Sequence, residues 1–72
     1  MEYLEFLREM KRLNPLVNGL GRLIAEGAGL NSMPKYYNII SGKVKDPQIL
    51  QKVYDSATKV LQDRGKLFAE QL

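Results

Sequence analysis

From residue 19 to residue 47 the chain reads GLGRLIAEGAGLNSMPKYYNIISGKVKDP, and helix-breaking residues punctuate text whose apolar residues otherwise recur at helical spacing. Gly27, Gly29 and Gly42 interrupt it, and Pro34 stands between them. Inside a helix, glycine costs about 1 kcal/mol and proline about 3 kcal/mol relative to alanine. A chain broken this way cannot form one long helix. It forms short ones, and each break sets the angle at which the next begins. The short piece from Pro34 to Gly42 is therefore held at a defined angle, where something outside the protein can meet it.

The flanking segments carry plainer signals. In residues 2–13, Tyr3, Phe6, Leu7, Met10 and Leu13 recur at three- and four-residue steps and make one apolar stripe. Asn14-Pro15 is expected to stop that helix, because Asn caps well and Pro suits a first helical turn. Residues 15–19 read as irregular and residues 20–28 as a helix in which Leu16, Leu20, Leu23 and Ile24 share a face. Ala25 and Ala28 are small enough to let another helix approach. Gly29 is expected to end this helix with a positive φ, and Asn31 or Ser32 to cap the next, residues 33–41. Tyr36, Ile39 and Ile40 form its inner side, and Gly42 ends it. Asp46-Pro47 is a strong helix start. Ile49, Leu50, Val53, Ala57, Val60 and Leu61 then give a clean stripe, which Leu67 and Phe68 extend unless Gly65 ends it. No strand pattern occurs. The 72 residues are expected to form a single all-α domain, a compact bundle of four or five short helices.

Composition narrows the chemistry. The chain has no cysteine and no histidine. Disulfides, thiol chemistry, the commonest general base and the commonest transition-metal ligand are all missing. Glu2, Glu5 and Glu9 suit the surface of an amphipathic N-terminal helix better than a catalytic pair. Gly19-Leu20-Gly21 begins a dinucleotide fingerprint, but position 24 is Ile and no strand precedes it. The expectation is a protein that is not an enzyme, with no cofactor, no metal and no evident small-molecule ligand. No apolar run is long enough to span a membrane, and the N-terminus lacks the pattern of a signal peptide, so a cytoplasmic location is expected.

The net charge of +3 is unevenly spread. Residues 10–53 hold seven Lys and Arg against Glu26 and Asp46, whereas residues 1–9 are net acidic and residues 54–72 balance. Concentrated basic charge is the footprint of a polyanion partner. Tyr36-Tyr37 adds to this, since only one of two adjacent rings can face the core. The other, Tyr37, is free to reach a phosphate or base.

Helix, glycine-led turn and short second helix together describe a helix-turn-helix unit over residues 20–42. The stretch resembles the helix-turn-helix of the phage-repressor (lambda-repressor-like) and Lac-repressor superfamily. "LIAEGAGL" is similar to its first helix and turn. "YYNIISGKVKDPQIL" is similar to the recognition helix, its "SGK" stop and the helix that follows "KDP". The resemblance covers residues 20–61 and fits with one residue inserted in "LNSMPK", because Lys35 stands where the family has its first inward residue. It implies a small transcriptional regulator that binds double-stranded DNA sequence-specifically, as a homodimer on a two-fold site. Ser32, Lys35, Tyr37 and Asn38 would face the major groove, and Lys43 and Lys45 would contact phosphates. The alternative is a helical protein–protein interaction module that uses the stripes of the first and last helices.

Overall fold

The computed structural model describes residues 1–66. Four α-helices follow one another: α1 (Tyr3–Val17), α2 (Gly21–Gly27), α3 (Met33–Ile40) and α4 (Pro47–Asp63). Among the described residues there is no strand, and no helix is long and apolar enough to cross a membrane. The expected all-α bundle of four or five short helices is what forms, with four helices among the described residues. Leu67 and Phe68 lie outside the described residues.

α4 is the organising element. Asp46 caps it, its Oδ1 accepting from the Gln48 amide at 2.9 Å, and Pro47 opens the first turn. Its stripe buries Leu50, Val53, Ala57 and Leu61 completely. α1 and α2 both pack on α4, and α3 packs on α2. Phe6 and Leu13 of α1, Ile24 and Ala25 of α2, and Tyr36 and Ile39 of α3 close the core. A domain this small buries a modest fraction of its surface, so each of these contacts carries a large share of its stability.

Two sequence expectations are corrected. α1 does not stop at Asn14-Pro15 but continues through Pro15 to Val17. Proline removes one backbone hydrogen bond and crowds the carbonyl four residues earlier. Here it stands in the last turn, where little helix remains to be lost. Leu13 is buried completely, and Leu16 and Val17 pack against the core on the same stripe, which holds the turn in place. Asn18-Gly19 then makes the reversal, with the Leu20 amide bonded to the Val17 carbonyl at 2.9 Å. The second correction is Leu23, which is exposed; Ile24 and Ala25 are the buried pair of α2.

Ala25, expected to let another helix approach, is buried, and Gly27 beside it also approaches α4 closely. A Cβ there would collide with the Ser56 hydroxyl of α4. Ser56 Oγ in turn donates to the Ile24 carbonyl at 2.7 Å, within the buried interface. Glycine at the end of α2 lets a polar side chain of α4 reach the α2 backbone directly, so the buried hydroxyl is satisfied.

Candidate nucleic-acid interface

α3 is short, and both its ends are set by local chemistry. Pro34 occupies the first turn, where its missing amide costs nothing. Ser32 sits at the N-cap with extended backbone, but its hydroxyl makes no capping bond. At the other end Gly42 has φ +91°, its amide bonds to the Ile39 carbonyl at 3.2 Å, and the Lys43 amide bonds to the Asn38 carbonyl at 2.9 Å. This pair of bonds is a Schellman cap. α2 ends in the same way. Gly29 has the expected positive φ of 79°, with the Gly29 amide on the Glu26 carbonyl and the Leu30 amide on the Ala25 carbonyl. Leu30 folds back onto the core beside the turn. Five residues, 28–32, separate α2 from α3. Helix-turn-helix units usually join their helices with three or four, so the turn is one residue longer than usual.

The inner face of α3 is Tyr36 and Ile39, both buried, with Ile40 half-buried. Tyr37 leans outward and is 56 % exposed, its ring 5.9 Å from that of Tyr36. Burial, and then charge repulsion from the neighbouring Tyr37 phenolate, push the Tyr36 phenol above its usual range. Lys35 and Asn38 are exposed, three residues apart on one flank of α3. Between Glu26 and Asp46 the chain has no acidic residue and three lysines. α3 itself carries no carboxylate, and the one in its connectors is Asp46, whose side chain caps α4.

Of the six residues expected to face DNA, those of the turn and α3 line different hollows. Lys35 and Asn38 share a groove between the turn, α3 and α4. Tyr37 lines a separate hollow on the opposite flank, next to Arg22, Asn14 and Asn18. Ser32, half-buried, lines a third hollow together with Glu26 and Arg22, whose charges oppose each other. Lys43 and Lys45 are exposed in the connector to α4. Lys45 Nζ lies 4.9 Å from the centre of the Tyr3 ring, a cation–π contact that ties the connector to α1. Tyr3 also closes over Gly42, where a Cβ would strike its hydroxyl.

The expectation also missed two cations. Lys52 of α4 lines the same groove as Lys35 and Asn38, and Arg22 lines the Tyr37 hollow. Lys52 stands one residue before buried Val53, at the edge of the α4 stripe. Only the fold, which closes the turn, α3 and α4 around one groove, brings that position to the same groove as Lys35. No protein-family model matches the chain, and no curated protein or solved structure is similar to it.

Proposed function

We propose that this protein binds double-stranded DNA sequence-specifically, as a small regulator of transcription of the phage-repressor kind, with α3 in the major groove. The observation that carries the reading is the flank of α3. A short helix, capped at Gly42 and set off from α2 by the Gly29 turn, exposes Lys35 and Asn38 while burying Tyr36 and Ile39. Lysine offers a donor to guanine, and the asparagine amide matches the donor–acceptor pair on adenine. Lys52 lines the same groove, Lys43 and Lys45 are exposed in the connector after α3, and the three supply the phosphate contacts that set register. A partner-protein module is supported less well. The apolar stripes of α1 and α4 that such a module would offer are buried, with Phe6, Leu13, Leu50 and Leu61 fully covered.

In this reading two copies occupy a two-fold site, so a selected DNA site should show inverted half-sites, and sedimentation should find two protomers on it. The test of the function itself is selection of bound sequences from random duplexes, followed by a salt titration on the best one. Affinity should fall steeply with salt. Lys43→Ala and Lys52→Ala should each weaken binding on every sequence and flatten the logarithmic salt slope by about one unit. Binding that is indifferent to salt, or no enrichment of any sequence, removes the proposal.

A further inference from the structure

The groove that holds Lys35 and Asn38 has a second property that contact with DNA leaves unused. Its volume is 310 Å³, and its lining includes Leu30 of the turn, Ile39 of α3, Val44 of the connector and Ile49 of α4. Lys35 and Lys52 line it from two different helices, and no carboxylate lines it. A phosphate on those ammonium groups would leave the apolar floor facing water. An uncharged apolar molecule would cover the floor and leave two cations without a counter-charge. A molecule that satisfies both has a hydrocarbon body and one anionic end.

We propose that this groove is a binding site for a small amphipathic monocarboxylate, a medium-chain aliphatic acid, whose occupancy excludes DNA from α3. The carboxylate accepts from Lys35 and Lys52, and the chain lies on Leu30, Ile39 and Ile49. The size suits a compact ligand of this class, since small-molecule sites begin at roughly 300 Å³. The regulatory half of the inference rests on the DNA-binding reading. Lys35 and Asn38 cannot face a base pair and the carboxylate at once, so the two ligands compete. The groove between α1 and α3 is the internal control, because it is also lined by apolar residues but has only Lys11 as a cation.

Amide chemical shifts of the protein alone, titrated with butanoate, hexanoate, octanoate and octanol below micelle-forming concentrations, test the site. Shifts should centre on Gly29, Ile39 and Val53. Affinity should rise about threefold to fourfold for each methylene that enters the groove. Octanol should bind more weakly than octanoate, and Lys52→Met should weaken octanoate about threefold, as for an exposed ion pair. Lys52 is exposed, so this variant keeps its fold, and an unchanged melting temperature checks that. Octanol binding as well as octanoate, no dependence on chain length, or shifts centred on Leu7 and Met10 overturns the site. Octanoate should then raise the dissociation constant for the selected DNA, with acetate at equal ionic strength having no effect. If both ligands bind and do not compete, the regulatory link is overturned. If the protein alone binds no DNA, the functional reading fails, and the shift titration still decides the groove.

Discussion

The ends of α2 and α3 make the same hydrogen bonds around a glycine and differ in everything else. At Gly29 an added Cβ would meet nothing within 4 Å, so glycine is required there by backbone conformation alone. At Gly42 the conformation is left-handed as well, but the space is already filled by Tyr3 of α1. Lys45 lies over the same tyrosine ring. One end is an open hinge between two helices. The other is a joint pinned to the rest of the bundle. The α3 flank is therefore held from its C-terminal end, through Tyr3, while the turn that leads into it only has to be the right shape. That explains how a turn one residue longer than usual can precede a helix that still buries Tyr36 and Ile39. The extra residue falls in a turn where Leu30 packs on the core but the space around Gly29 is open.

The largest effect should come from breaking the pinned end. Gly42→Ala combines a strained left-handed residue, about 1–2 kcal/mol, with overpacking against Tyr3, about 1–3 kcal/mol. A loss of about 2–5 kcal/mol is expected in denaturant unfolding. Tyr3→Ala in the Gly42→Ala background should recover part of the added loss, because the collision is gone. Equal losses with and without the tyrosine would show that Tyr3 does not hold this end.

A close approach without strain gives the intermediate case. Gly27→Ala improves helix propensity by up to about 1 kcal/mol but drives a methyl into Ser56, whose hydroxyl is bonded to Ile24. Overpacking of about 1–3 kcal/mol outweighs the gain. The net loss is expected at about 1 kcal/mol, and thermal unfolding of Gly27→Ala, Ser56→Ala and the double variant measures it. The double variant should lose less than the two single losses added together.

Gly29→Ala tests the open end. Only the backbone objects, so the loss should be about 1 kcal/mol, smaller than at Gly42. Its melting temperature should fall while the amide shifts of α1 stay in place. A loss as large as that of Gly42→Ala would show that the turn is packed after all.

What the sequence made legible follows the same division. Conformation-driven features are local and could be read directly: the positive φ at Gly29, the stop at Gly42, the cap at Asp46 and the stripe of α4. Features that depend on distant neighbours could not. Gly27 reads as a mere helix breaker until Ser56 is seen beside it, and nothing in its vicinity names that partner. Pro15 carries a strong local stop signal, which burial of Leu13, Leu16 and Val17 overrides. The neighbours of the candidate interface divide in the same way. Lys35, Tyr37 and Asn38 are close in sequence, yet adjacent residues on a helix turn by about 100°, which sends Tyr37 to the opposite flank. Lys52 is far along the chain and joins the flank only through the path of α4.

The smallest expected effect on stability is at the flank itself, and it separates a surface that reads bases from one that only attracts charge. Asn38 is exposed, and among the described residues its side chain has no hydrogen-bond partner; its backbone carbonyl accepts from Lys43 and Ser41. Alanine keeps that carbonyl and is the better helix former, by a few tenths of a kcal/mol. Asn38→Ala should therefore leave the melting temperature unchanged or slightly raised. If Asn38 hydrogen-bonds an adenine, the variant should lose about 1–3 kcal/mol on the selected site and far less on random duplex. Lys43→Ala should do the reverse, losing similar amounts on both, because a phosphate contact carries no sequence information. Binding curves for wild type and both variants on the two DNAs contain the answer. Equal losses for Asn38→Ala on both, or none on either, would mean that α3 does not read bases. The flank of Lys35 and Lys52 would then be left to the carboxylate alone.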